Sequence, residues 1–374
     1  MKNQLTNRIK SQSGFNIVEL MIAITIGLVI SGAIGSVFLT SSKTNKAQDN
    51  LARLQENVRF ALIQMQTDIR MSGYRGCLGQ KGSTPGTPKT QRAAIDNVIT
   101  TPSYDNDLGV SIQGYNENGA GWLPGLDSTI SGATPAPATG SDVITVRYAS
   151  GGVQLSGDMA NSASAIPIVA NTDNLVAGDA AIIADCVAST IFKVTTASST
   201  AITHTTANNS VAILGRGYKL DAANLDGTVT DGTDLVGFAF GRDAMVMPIK
   251  TVTYYVAPST GVTNGLSLWR KTNANASEEI IDNIEKLKIL YGEDTAGINA
   301  SGNNAPAKYV TANQVTNMNN VIAIKLMILA RTSDDKLSAT GQNYTFKGVA
   351  GIVPTDKYLR RAFNTVITIR NRAT

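Results

Sequence analysis

Histidine is almost absent from this chain: among 374 residues there is one, His204, alongside two cysteines, Cys77 and Cys186. That leaves too few ligands for a His/Cys zinc set. No G-x-S-x-G elbow, Walker loop or H-E-x-x-H pattern occurs either. His204 lies in the polar run Thr203-His-Thr-Thr206 and reads as an exposed loop or strand residue. Charge is also scarce, at 16% of residues against 43% hydrophobic, which places the chain among folded proteins with one large or two ordinary domains. The net charge of +4 owes three units to Lys2, Arg8 and Lys10, and without residues 1–14 it would be +1. A pI near 8.9 is therefore poor evidence for nucleic-acid binding. Arg360, Arg361, Arg370 and Arg372 cluster near the C-terminus, but no dense basic block interleaved with aromatics occurs elsewhere. Asn224-Leu-Asp226-Gly227 has the look of a calcium loop, yet Ala222 and Thr233 stand where the pattern needs acids, so ordinary turns are expected. Trp122 and Trp269 read as packing residues. No catalytic residue, cofactor, metal or nucleic-acid partner is expected, and the chain reads as a non-enzyme.

What the chain does have is a long stretch without charge. Leu20 to Ser42 is 23 uncharged residues, about 35 Å as a helix against a hydrocarbon core of roughly 30 Å. The basic flank predicts a cytoplasmic N-terminus and a head on the far side of the membrane. A secretory signal has a shorter apolar region and is cut after it; here the run begins directly after Gly14-Phe15. Glu19 is the only charge between Lys10 and Lys43. A carboxylate in such a run is costly, about 2.5–3.5 kcal/mol at a helix centre, so it needs a partner or a function. Cleavage between Gly14 and Phe15 would keep the helix and create a free amine, a candidate cation for Glu19.

The basic leader, Ser13-Gly14-Phe15, Glu19 and the intact apolar run together resemble a type IV prepilin or pseudopilin signal. The resemblance implies cleavage after Gly14 by a prepilin peptidase, N-methylation of Phe15, and packing of the retained helices into a filament core. Glu19 would set assembly register, because an unmatched charge in an apolar core is penalised. Further blocks are similar to PilW-type minor pilins: Glu56-Asn57, Arg59-Phe60-Ala61, Asp68, Arg70, Gly73-Tyr74, Gly76-Cys77, Gly140 to Tyr148, Asp185-Cys186 with Phe192, and Arg360-Arg361-Ala362-Phe363 to Asn371. The ending is shared with J-type pseudopilins of type II secretion. Thr84 to Pro137 and Thr196 to Gly241 remain unmatched. Two cysteines are compatible with one disulfide or two buried thiols; their appearance in two matched blocks, in an oxidising compartment, favours a Cys77–Cys186 bond.

Past the membrane run, Leu51, Leu54, Val58, Ala61, Leu62, Met65 and Ile69 recur at spacings of three and four, with Arg53, Gln55, Glu56, Arg59, Gln66 and Asp68 on the other faces. The pattern stops near Ser72-Gly73. From about residue 80, Gly-, Ser-, Thr- and Pro-rich loops, including 82–89, 104–121 and 131–140, separate β-branched runs. Strands are expected at 142–148, 181–186, 191–195, 251–256, 266–270, 321–330 and 363–370. The segment 278–290 is open between helix and strand, with a strand at 287–291. The expected fold is α+β and type IV pilin-like, a long N-terminal helix on a predominantly antiparallel head. Its divisions are a leader at 1–14, a membrane and filament-core helix at 15–42, an amphipathic continuation at 43–76 and a β-rich head at 77–374.

The function implied by the resemblance is that of a minor pilin at the tip of a type IV pilus, priming assembly and supporting adhesion, twitching motility or DNA uptake. The implied partners are other minor and major pilins, the inner-membrane assembly platform, the prepilin peptidase and a tip adhesin. The chain would reside in the inner membrane and then, in the pilus, outside the cell. The alternatives are a J-type pseudopilin and a membrane-anchored glycan-binding or enzymatic domain.

Overall fold

The computed structural model describes residues 14, 16–76, 94–185, 188–212, 214, 239–295, 305–335 and 340–371. Phe15, Cys77, Cys186 and the acidic turn region 221–234 lie outside them. One helix, α1, runs from Ile17 to Met71, about 80 Å at 1.5 Å per residue. It contains no proline, and its interior is dominated by Ile, Leu, Val, Ala, Met and Gln. It ends at Met71, five residues before the expected boundary at 76. Ser72 is the C-cap, and Gly73 follows with φ of 75°, a left-handed conformation that glycine adopts without Cβ strain.

Ten strands frame the head: β1 (Ile112–Glu117), β2 (Val143–Ala149), β3 (Ala180–Ala184), β4 (Ala188–Lys193), β5 (Met245–Pro258), β6 (Leu266–Thr272), β7 (Glu278–Ile281), β8 (Ile284–Glu293), β9 (Val321–Arg331) and β10 (Arg360–Thr368). In the ten-stranded sheet β5 is central: β2 and β3 flank it along its length, and β6 joins its C-terminal half. A four-stranded sheet is ordered Lys308–Val310, β8, β9, β10. Pairing is antiparallel apart from Ala94–Asn97 against β4. The fold is thus α+β with a predominantly antiparallel head, as expected.

Two local expectations change. The 104–121 loop contains β1, whose Ile112 and Tyr115 are buried. The 278–290 segment is two strands broken by Asp282-Asn283, with Asn283 at φ of 59°, so its charged residues lie on both strands and the turn between them.

The stripe on α1 is the core contact. Leu54, Val58, Ala61, Met65 and Ile69 are buried against β2, β5, β8 and β9, each burial contributing about 1.5–3 kcal/mol for the larger side chains. A second core lies under β3 and β4 and includes Ile202 and Leu214 from the otherwise unmatched 196–241 segment. That packing overturns the exposed reading of His204. The ring is 3% exposed, meets Phe192 edge-on at 5.9 Å, and has Nε2 3.0 Å from the Ser164 carbonyl. The segment folds back as a small sheet with Ile166–Pro167, carrying the polar-looking run inward.

Candidate functional site

The candidate site is α1 itself, a surface for association at one end and an anchor in the head at the other. Asn16 is its N-cap, accepting from Val18 N–H at 3.4 Å, and Glu19 stands in the first turn. A carboxylate there faces the positive end of the helix dipole. The N-cap was not anticipated, though Asn followed three residues later by Glu is the spacing of a capping box. Gly14 is placed, and Glu19 is exposed, but Phe15 is outside the described residues, so the proposed amine has no geometry.

From Ile17 to Leu39 the large apolar side chains are exposed; Val29 and Phe38 are each 73% exposed. This is the one described helix long and apolar enough to cross a membrane, and none of its most apolar window is buried in the head. Three of its hydroxyls are satisfied internally: Thr25 donates to the Met21 and Ile22 carbonyls, Ser36 to Ala33, and Thr40 to Ser36, at 2.8–3.0 Å. Back-bonding of this kind lets a polar side chain sit in an apolar surrounding.

At the other end α1 is fixed by a carboxylate. Asp68, expected on the solvent face, is buried at 5% exposure. It accepts from the Tyr148 and Tyr254 hydroxyls at 2.6 Å each and pairs with Arg270 Nη2 at 3.1 Å; Arg270 also reaches Glu278 at 3.1 Å. Burial, and then the Asp68 charge, push both phenols well above the usual tyrosine range, so both remain donors. The misread is intelligible: Asp68 falls three residues after Met65, inside the apolar stripe, and its partners come from β2, β5 and β6. Three further contacts tie α1 to β10 and to the segments on either side of it. Asn50 bonds Asp334 and Ser333, Gln66 Nε2 donates to Thr365 Oγ1 at 3.2 Å, and Asn371 Nδ2 donates to the Met71 and Ser72 carbonyls.

The flank opposite Gln66 borders an open cleft of about 550 Å³ lined by Glu56, Phe60, Thr260, Glu279 and Asp282. The Glu279 carboxylate there is already filled by Ser259, Thr260 and Ser267 donors, which hold its pKa down against partial burial. Trp269 is buried, and Trp122 donates Nε1–H to the Ser141 carbonyl, so both tryptophans pack. No group of three or more metal-ligating side chains occurs among the described residues.

Cys77 and Cys186 are outside the described residues, but their neighbours are not. A Cβ on Gly76 would stand 3.9 Å from Ala184 Cβ, so the chain just before each cysteine converges on one place.

A membrane-length helix with its apolar half uncovered and its polar half seated on a sheet-rich head is the build of a pilin-class subunit. Residues 253–371, from mid-β5 to the residue that bonds the end of α1, match the family model PilW, Type IV Pilus-assembly protein W. The chain is thus PilW-like over its C-terminal third, which contains the Arg360 to Asn371 block of the PilW-type resemblance. No curated protein matches it. Among solved structures, a type IV-like pilin from Thermus thermophilus aligns over 86% of this chain and 98% of its own length, at 10% identity and a TM-score of 0.33. The fold assignment rests on the helix and the strand pairing, not on that alignment.

Proposed function

We propose that this protein is a minor pilin, cut between Gly14 and Phe15, held in the inner membrane with its head periplasmic, and inserted at the tip of a type IV pilus. There it primes assembly with other minor pilins and supports adhesion, twitching motility or DNA uptake. The observation that carries the reading is the match of residues 253–371 to a pilus-assembly family in a chain whose α1 leaves its apolar half uncovered. A structural, non-enzymatic role accords with it. Glu19, at the head of that helix, would match the amine created by cleavage and set register.

The test is mass spectrometry of the mature protein from a pilus-competent host. An N-terminal methylated Phe15 is expected; a retained 1–14 leader would sink the reading. Deletion of the gene should abolish or reduce surface piliation and leave exoprotein secretion intact, whereas normal piliation with lost secretion would assign the chain to a type II pseudopilus. Glu19→Ala should insert in the membrane normally and be depleted from sheared pili.

A further inference from the structure

The outer edge of β10 is a pairing surface that no described strand covers. β10 is the last strand of the four-stranded sheet and pairs only with β9 among the described residues. The register Ala323↔Thr368 through Arg331↔Arg360, with Ile369 N–H bonded to the Ile322 carbonyl, fixes which backbone groups face inward. In an antiparallel ladder, bonded and non-bonded pairs alternate. The odd-numbered residues 361–369 therefore bond to β9, and the N–H and C=O of Ala362, Asn364, Val366 and Thr368 point outward. Asn364, Val366 and Thr368 are exposed, Val366 at 52%. β10 contains no proline or glycine. Outward donor and acceptor pairs recurring about every 6.7 Å form a template for another extended chain.

Charge narrows the occupant. Arg59, Gln66 and Arg70, at spacings of seven and four, share one flank of α1, and the Gln66–Thr365 bond shows that this flank borders β10. Arg59, Arg70 and the strand's own Arg361 are exposed, and none pairs with a carboxylate among the described residues. Such a basic rim disfavours pairing with a second copy's β10, since like charges would meet. It favours a strand that carries acids.

We infer that β10 receives an extended, carboxylate-bearing segment of a neighbouring pilin subunit, which continues the four-stranded sheet across the subunit boundary. The inference rests on the pilin reading above. A photo-crosslinking residue placed at Val366 in the full-length protein, in its own cells, should join it to another pilin within an acidic extended segment. Absence of a crosslink, a crosslink to a non-pilin protein or one between two β10 strands would overturn it. Val366→Pro removes one outward N–H and leaves the β9–β10 bonds in place; edge strands tolerate proline. It should lower the amount of protein in sheared pili at least tenfold with the thermal midpoint unchanged. If that variant fails to fold, Arg361→Glu should give the same loss and Arg361→Lys should restore incorporation; equal incorporation of both would refute the docking. Wild-type protein that keeps its leader and is missing from pili would instead overturn the pilin reading. Wild-type protein in pili, with Val366→Pro incorporated equally, would overturn the strand docking alone.

Discussion

At the scale of single residues, the folded state depends on groups whose neighbours leave no latitude. His204 is held neutral because burial disfavours the imidazolium and lowers its pKa. The folded pKa then lies below that of the unfolded chain, so the unfolded state takes up the proton first as pH falls. Stability contributed by the neutral ring is complete above about pH 6.5 and is lost as the pH drops below it. Chemical denaturation of the full-length protein at pH 7.5 and pH 5.5 should show a loss that shrinks in His204→Gln; an identical loss in both proteins would refute the assignment. Gly114 is constrained by space: a Cβ there would collide with the Tyr291 ring and hydroxyl, and Tyr291 is fully buried. Gly114→Ala should cost about 1–3 kcal/mol through overpacking, measured as a shift in the denaturation midpoint. Neither environment was legible beforehand. The run around His204 is polar, and burial came from a segment that pairs with residues nearly forty positions earlier; Gly114 is crowded by a strand about 180 residues away.

The elements were legible in proportion to how local their causes are. α1 could be read almost to its last residue, because its apolar run, its stripe at spacings of three and four, and the Ser72-Gly73 stop lie in contiguous sequence. Long β-branched runs gave the seven expected strands their places, whereas β1 was concealed among Gly and Asn that signal loops. Asp68 shows what periodicity cannot reach. A carboxylate on the buried stripe makes sense only once Tyr148, Tyr254 and Arg270 arrive from three strands, and their arrival turns a misfit into the joint between helix and sheet. Removing one partner of a buried ion pair leaves the other charge uncompensated, at about 3–5 kcal/mol. Asp68→Ala should lower the unfolding free energy by that amount and detach the last turns of α1. Hydrogen exchange should then rise selectively over residues 61–71, and a uniform rise across the head would argue against the joint.

For the whole molecule, the N-terminal half of α1 is apolar and uncovered, long enough to cross a membrane, while the rest is seated on the head. Load on the helix passes into the head through the buried stripe and the Asp68 joint, and along the chain through the turn at Ser72 to Gly76. That turn arrives beside Ala184, next to Met247 of the central strand β5. The convergence is the structural argument for a Cys77–Cys186 bond, since one cysteine follows Gly76 directly and the other comes two residues after Ala184. Such a bond would tie the helix exit to the ten-stranded sheet by a covalent link parallel to the buried one. It would close a loop of about 110 residues, for which chain entropy gives roughly 4–5 kcal/mol at 25 °C. Natively exported protein should therefore show no free thiol under denaturing alkylation, and reduction should lower its stability by up to that amount. Cys77→Ser and Cys186→Ser should each reproduce the reduced protein, and the double variant should add nothing further, because two residues acting through one bond are not independent. Two alkylatable thiols in the exported protein, or additive losses in the double variant, would rule the link out and leave the Asp68 joint as the tie between the end of α1 and the sheet.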